Sequence, residues 1–341
     1  MSKKHVTIPI FIPHSGCPQQ CIFCNQWKSS GSRGITDADS VRQKIEEYLR
    51  HIPESVDRIE VAFFGANFTG IPEDMQRTML GAALWYRDKG LIHGIRLSTR
   101  PDYITDDGLD LLQQHAVDTI ELGVQSFFDD VLSAAGRGHS VSDVYRAVER
   151  IAGKGIGFVL QLMTGLPGDS REKSFSSARS AAALKPEGIR LFPAVILKDT
   201  GLEKMYREGR YTPLSLDEAI DRCAGMYRII TEAGIPVIRT GLHPLQDDTE
   251  SVIAGPYHTA FGFFVKSRLK RNILEQHIDR ARDNMTAGYS RIHITIPLHD
   301  SGEYIGHKKE NIMYLSQRLT PMVLEYTIGT APQAEPVIQL L

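Results

Sequence analysis

Two rhythms of apolar and polar positions take turns along this chain. Short runs rich in Val, Ile and Leu read as strands. They are VTIPIFIPHSG (6–16), RIEVAFFGA (58–66), GIRLSTRPD (94–102), DTIELGVQS (118–126), GFVLQLMTGLPG with its loop (157–168), GIRLFPAVI (188–196) and PVIRTGL (236–242). Between them lie segments of helical period at 36–52, 72–90, 105–115, 127–135, 141–154, near 170–185, and 215–234. In the first helix Val41, Ile45, Tyr48, Leu49 and Ile52 share a face, and Thr36 or Asp37 can cap it. Proline opens 72–90 and glycine follows its end. Ser215 and Glu218 have capping-box spacing.

Strand–helix alternation over most of the chain predicts an α/β fold, a full or partial (β/α) barrel of parallel strands. A doubly wound open sheet is the competing architecture. The branched apolar strands imply a sheet covered on both faces. The alternation weakens after PVIRTGLHPLQDD, so a boundary is placed there, giving units 1–245 and 246–341. The second reads as a small C-terminal α/β appendix. RIHITIPLHD (291–300) and VLEYTIG (323–329) are its strands, and GHKKENIMYLSQRL (306–319) its helix. Lys266, Arg268, Lys270 and Arg271 make a short basic run, with Arg280 and Arg282 beyond. Acids at Glu275, Asp279 and Asp283 favour a solvated helix face over an RNA contact.

Composition narrows the class. Of 341 residues, 42% are hydrophobic and 23% charged, with a formal charge of −2, so no global field draws the chain to nucleic acid or anionic lipid. The N-terminal apolar run is short and broken by Pro9 and Pro13, unlike a secretory signal, and no stretch approaches 18 apolar residues. A cytoplasmic location is expected, where clustered cysteines point to metal or catalysis rather than to disulfides.

Three of the four cysteines, Cys17, Cys21 and Cys24, fall within CPQQCIFC, a CxxxCxxC spacing beside Gly16 and Pro18. Three readings stand: incidental cysteine, a zinc site completed by His14, or an iron–sulfur cluster on three thiolates that leaves one iron open to a small molecule. Phe23 would shield such a cluster. Cys223, distant and in a helical pattern, reads as core.

If the strands are parallel, every loop after a strand lies on one rim. That rim gathers the cysteines, GANFTGIP (65–72), TRPD (99–102), Gln125–Ser126, TGLPGDS (164–170) and PAVILKDTGL (193–202). Arg100 and Asp102 offer a cation and a carboxylate, for a ligand or for each other. On a period of two, Glu121, Gly123 and Gln125 share a face, where an acid and an amide are costly unless paired or used. Arg137 and His139 follow in GRGH, His139 as a substrate contact or, more simply, a helix cap. Gly165 and Gly168 allow close backbone approach.

The CxxxCxxC motif with its aromatic residue resembles the radical S-adenosylmethionine (SAM) signature. With FFGANFTG, STRPDY, IELGVQS, RGH, MTGLPG and FPAVILKDTGL in order, residues 6–242 resemble the radical SAM domain of the Elongator catalytic-subunit family, which modifies wobble uridine in tRNA. The resemblance implies a [4Fe–4S] cluster on Cys17, Cys21 and Cys24, with SAM on the open iron. It places Gly65, Asn67, Arg100, Gln125, Gly165 and Pro193 around the cofactor, and Glu121 and His139 toward substrate. It also implies an electron donor such as flavodoxin or ferredoxin, and tRNA as a partner. Ala66 and Asn67 depart from the family's glycine-rich segment. Residues 246–341 show no glycine-rich acetyl-CoA loop, so a stand-alone relative without the acetyltransferase domain is expected. Alternatives are the same chemistry on a porphyrin-like small molecule, a zinc- or cluster-binding RNA adaptor, and a carrier of haem or cluster using His14 and His258.

Overall fold

The computed structural model describes residues 5–12, 16–17, 21–25, 37–65, 67–243, 251–283, 289–330 and 335–341. Strands β1 (His5–Phe11), β2 (Arg58–Phe64), β3 (Gly94–Thr99), β4 (Thr119–Gln125), β5 (Gly157–Thr164), β6 (Gly188–Pro193) and, after the short β7 (Ile196–Leu197), β8 (Val237–Thr240) follow one another. All but β7 form one sheet in sequence order, each neighbouring pair parallel. β1 and β8 are its two edges, so the sheet is a curled partial barrel rather than a closed one.

Helices α1 (Ala38–Leu49), α2 (Glu73–Asp88), α3 (Asp106–Gln114), α4 (Asp129–Ala134), α5 (Val141–Gly153), α6 (Arg171–Ala183), α7 (Gly201–Arg207) and α8 (Leu216–Glu232) fill the connections. Their starts are chemically defined. Asp37 accepts from the Ser40 N–H, Thr105 from Gly108, and Ser140 and Ser215 form capping boxes with Asp143 and Glu218. Each such cap contributes about 1 kcal/mol.

The apolar strand positions face outward. Ile8, Ile10, Val61, Phe63, Ile95, Leu97, Ile120, Leu122, Leu160 and Leu191 join buried residues of α1, α2, α3, α5, α6 and α8 in one core. The expectation of a sheet covered on both faces is met by helices on the outer side, while the concave side is polar. There the alternate positions carry Glu60, Arg96, Glu121, Gln161 and Arg190, joined to one another by ion pairs and hydrogen bonds. The apolar face drives burial, and the polar face is held by mutual pairing.

Past residue 245 the chain first returns to the barrel. β9 (Val252–Ala254) pairs antiparallel with β7. The long helix α9 (Phe261–Asp283) packs Phe261 and Val265 against Ala219, Ile220 and Cys223 of α8. Its far half, through Leu274 and Ile278, enters a second core. That core is built from β10 (Arg291–Ile296), α10 (Ser301–Ile305), α11 (Glu310–Leu319), β11 (Val323–Ile328) and β12 (Val337–Leu340), with sheet order β11-β10-β12. β12 has no counterpart in the sequence reading.

The basic run sits on α9, where Lys266, Arg280 and Arg282 are on a solvated face and Arg268, Lys270 and Arg271 are partly packed away. Arg268, whose side chain is 11% exposed, pairs with Asp217 and Asp221 of α8. Lys270 pairs with Asp300, Lys266 with Glu303, and Arg271 lies over the Tyr314 ring.

Candidate active site

The parallel sheet puts Gly16 and Cys17, Gly65 and Asn67, Arg100, Gln125, Gly165 and Pro193 at the same, C-terminal rim. His14, Pro18 and Ala66 lie outside the described residues.

Asn67 is the bracket of this rim. It is fully buried after β2, and its Nδ2 donates to the Gly16 carbonyl at 2.8 Å. Its Oδ1 accepts from Thr99 Oγ1 at 2.6 Å and from the Arg100 N–H at 3.2 Å. Its backbone N–H reaches the Cys17 sulfur. One side chain thus ties the cysteine loop to the ends of β2 and β3, and the amide is spent within the protein. Glycine is required opposite it: a Cβ on Gly16 would collide with the Asn67 carbonyl and the Gly70 backbone, and the φ of +71° is left-handed.

The second half of the cysteine loop is held by backbone. Cys24 N–H bonds to the Cys21 carbonyl at 2.9 Å, Ile22 N–H to Ala135 at 3.1 Å, and Leu202 N–H to Ile22 at 2.7 Å. Phe23 packs among Leu166, Ala135 and Leu202, so its ring covers this end of the loop. Cys21 is buried, and Cys17 and Cys24 are half-buried.

Two arginines face the thiols. Arg137 donates through Nη1 to Cys21 Sγ at 3.2 Å and through Nη2 to the Gly123 carbonyl. Burial and the neighbouring Cys21 push the Cys17 thiol up, while the Asn67 N–H, Arg100 and Arg137 draw it down. Arg100 forms a two-armed pair with Asp102 at 2.9 and 2.8 Å. Burial lowers its pKa, but Asp102, Cys21 and Cys17 more than offset this and leave it raised. The ion pair read from TRPD is made, and Arg100 Nη1 is left over.

β4 does not keep strict alternation to its end. Its register against β5 shifts between Leu122 and Gln125, and Gln125 has a φ of +70°. The expected row of Glu121, Gly123 and Gln125 is thus broken by a bulge, of the kind that re-aims side chains at functional sites. His139 is not the cap of α5; Ser140 is. His139 is buried, with Nε2 at 3.2 Å from the Val124 carbonyl. A carbonyl only accepts, so Nε2 carries the proton and Nδ1 is a bare acceptor. Burial, then Arg137, depress its pKa to about 4, which keeps the ring neutral.

Arg100 Nη1, Gln125 Oε1, Arg137 Nε, His139 Nδ1 and Ser98 Oγ are all buried without a hydrogen-bond partner in the protein. Each such atom costs about 1–3 kcal/mol if it stays unmet. Such atoms also occur on the floor, at Glu60, Arg96 and Arg190, and at Gln76 and Arg271, but the five gathered at the rim make it the candidate ligand site. The donors and acceptors suit a carboxylate, an ammonium and ribose hydroxyls, and the two cations suit a cluster carrying thiolates.

Other sequence candidates fall elsewhere. Gly165 sits on the rim with φ +83°, but its carbonyl accepts from Tyr211 at 2.5 Å and its N–H bonds Asp169 at 2.7 Å. Pro193 closes β6 opposite Thr164. Glu121 is fully buried below the rim, against Arg190 at 2.9 Å, Gln161 at 3.1 Å and Arg96 at 3.2 Å. His258 accepts the Ala260 N–H at 2.9 Å, as a cap just before α9. Cys223 is core, its thiol pushed up to about 12 by burial. Arg137 was visible in GRGH but carried no sequence signal of its contact with Cys21, which lies 116 residues away. Among the described residues no three His, Cys, Asp or Glu side chains close on a single point. A cubane is held at separate corners, so its thiolates need not converge on one atom.

Residues 11–174 match the Radical SAM superfamily and residues 186–271 the Radical SAM C-terminal domain. The chain belongs to the radical SAM superfamily. Radical SAM proteins are enzymes whose family chemistry implies a [4Fe–4S] cluster and SAM. Elongator complex protein 3 of Schizosaccharomyces pombe is 27% identical over 234 residues, covering 60% of this chain and 43% of that protein. A tRNA uridine(34) acetyltransferase of Methanocaldococcus infernus is 26% identical over 200 residues, covering 53% of this chain and 37% of that one. This radical SAM chain thus spans about two-fifths of those relatives' length. The structure of M. infernus Elp3 with an N-terminal deletion superposes with a TM-score of 0.62 at 20% identity, covering 80% of this chain and 64% of that one. That likeness is one of fold. No helix among the described residues is long and apolar enough to cross a membrane.

Proposed function

We propose that Cys17, Cys21 and Cys24 ligate a [4Fe–4S] cluster and that SAM binds beside it, on the rim formed by Arg100, Gln125, Arg137 and His139. The observation that carries this is the set of buried, unpartnered polar atoms next to the thiols of Cys17 and Cys21, which face Arg100 and Arg137. When bound, such a cluster supplies an electron that cleaves the sulfonium C–S bond, giving a 5′-deoxyadenosyl radical that abstracts hydrogen from substrate.

The chain's own part is positioning and exclusion. Asn67 fixes the cysteine loop, Arg137 donates to Cys21 and balances thiolate charge, and Phe23 keeps water from the loop. Arg100, half consumed by Asp102, keeps one donor for a carboxylate. Gln125 Oε1 and His139 Nδ1 are acceptors for an ammonium or hydroxyl. Gly65 and Gly165 let the chain turn at the rim, and Pro193 ends β6 there. Substrate enters the concave face, with Glu121 on its floor.

The substrate we infer is a tRNA or nucleoside-type molecule, on the likeness to a tRNA uridine(34) acetyltransferase. Residues 1–245 form the radical core in this reading, and 246–341 the extension that flanks it. A flavodoxin or ferredoxin class protein is the electron donor.

The test is anaerobic reconstitution with iron and sulfide, reduction, and assay of 5′-deoxyadenosine with SAM. About four irons per chain are expected, lost together with 5′-deoxyadenosine in Cys17→Ala, Cys21→Ala and Cys24→Ala. A zinc-loaded protein, or a cluster that never cleaves SAM, contradicts the reading.

A further inference from the structure

The floor of the concave face carries an imbalance that the cluster and SAM do not use. Glu60, Arg96, Glu121 and Arg190 alternate in sign from β2 to β6, linked by contacts of 2.9 Å, 3.2 Å and 2.9 Å. Each carboxylate is shared between arginines. On β8 the next position in register with Arg190 is Arg239, again an arginine. The register shifts between Ile189 and Arg190, and beyond that irregularity Arg190 stands opposite Arg239. Arg239 is half-buried, and its Nε donates to the Gly241 carbonyl at 3.1 Å. Among the described residues it has no carboxylate partner. Burial, then Arg190, hold its pKa below the ordinary value, so the nearest charge is repulsive.

Three guanidiniums thus stand against two carboxylates, before His5 and Arg58 are added beside Glu60. Two half-buried cations in register, one lacking a counter-charge, are costly for the protein alone. There is room for a ligand at Arg239. β8 is an open edge of the sheet, and a depression of about 370 Å³ along it is lined by Arg239, Tyr227, Phe263, Lys266 and Glu303, and not by Arg190. Lys266 adds a further ammonium, at 3.5 Å from Glu303.

We propose that Arg239, with Arg190 behind it, is the receptor for an oxyanion of the substrate, a phosphate or a carboxylate, at the β8 edge where the concave face ends. This rests on the reading that substrate occupies that face. The forked guanidinium geometry matches either oxyanion through paired N–H donors. Arg190 stays anchored by Glu121, while Arg239 supplies the uncommitted fork.

The experiment is isothermal titration of the full chain with inorganic phosphate, acetate and uridine 5′-monophosphate at low ionic strength. At least one of these binds at a single site. Arg239→Gln weakens that binding by about tenfold or more, and Arg239→Lys retains more of it. Tighter phosphate assigns a phosphoryl group, and tighter acetate a carboxylate. A second measurement needs no variant: the bound anion protects Arg239 from phenylglyoxal, read by peptide mass. No binding to the natural chain, equal binding to a folded Arg239→Gln protein, or no protection of Arg239 overturns the proposal. The assay reads binding, not SAM cleavage. A protein that cleaves SAM but binds no anion refutes this inference alone; one that binds anions but never cleaves SAM refutes the radical reading alone.

Discussion

Helix α9 and the concave face with its rim are both rich in basic side chains. On both some pair with carboxylates, Arg96 and Arg190 on the floor included, and the difference lies in what the remaining cations face. On α9, Lys266, Arg268 and Lys270 each meet a carboxylate from a neighbouring helix or loop, and Arg271 stacks on Tyr314 with its Nε unmet. On the concave face and its rim, Arg137 meets a cysteine sulfur, Arg100 keeps a buried nitrogen without a partner, and Arg239 faces another arginine. The contiguous basic run, the more conspicuous in sequence, serves to dock helices. The scattered arginines, one per strand or loop, gather where a ligand would sit. Clustering along the chain is thus a poor guide to clustering in space.

The sharpest way to break this contrast is Glu121→Gln. It strands Arg96 and Arg190 around a neutral amide, and loss of about 3–5 kcal/mol in urea unfolding is expected. A loss under about 1 kcal/mol would mean that the floor behaves like an exposed surface. Next is Asn67→Ala, which leaves the Gly16 carbonyl and the Thr99 and Arg100 donors without their partner. About 2–4 kcal/mol should be lost, together with iron retention after reconstitution. If iron is retained in full, Asn67 does not fix the cysteine loop.

His139 sharpens the comparison through pH. Its folded pKa, about 4, lies below the ordinary 6.5, so the unfolded chain takes up the proton first. Its contribution is intact above about pH 6.5 and is lost as pH falls toward 4. Between about pH 7 and pH 5 this amounts to about 2 kcal/mol. His139→Asn should flatten that part of the acid limb of Tm against pH; an unchanged limb would place the titration elsewhere. The smallest effect is expected from Arg268→Gln on α9, about 1 kcal/mol, because Asp217 is mostly exposed and Asp221 partly so and both can return to water. In the proposed tRNA reading, the salt dependence of tRNA retention by this variant should match that of the natural chain. A fall in the salt slope would return α9 to the list of RNA contacts.

Much of this was legible in the sequence because it is local. The strand and helix runs, the Asp37 and Ser215 caps and the rim loops follow from periodicity and short-range chemistry. What was hidden is long-range or depends on backbone irregularity. The β4 bulge at Gln125 defeats a period-two reading. The contact of Arg137 with Cys21 joins loops far apart in the chain, and Asn67 works through three partners from three segments. His139 looked like a cap because Ser140, the actual cap, is its neighbour. The concave charges were in plain view as RIEVAFF, GIRLST, TIELGVQ and GIRLFP, yet their meaning needed the register that lines them up.

Whether Cys17, Cys21 and Cys24 hold a cluster with one iron open to SAM is read by electron paramagnetic resonance of the reduced, reconstituted protein. A [4Fe–4S]⁺ signal whose g-values shift on adding SAM is expected, and it should be absent from Cys17→Ala. A reduced protein with no cluster signal, or a cluster signal that SAM leaves unchanged, would contradict this reading.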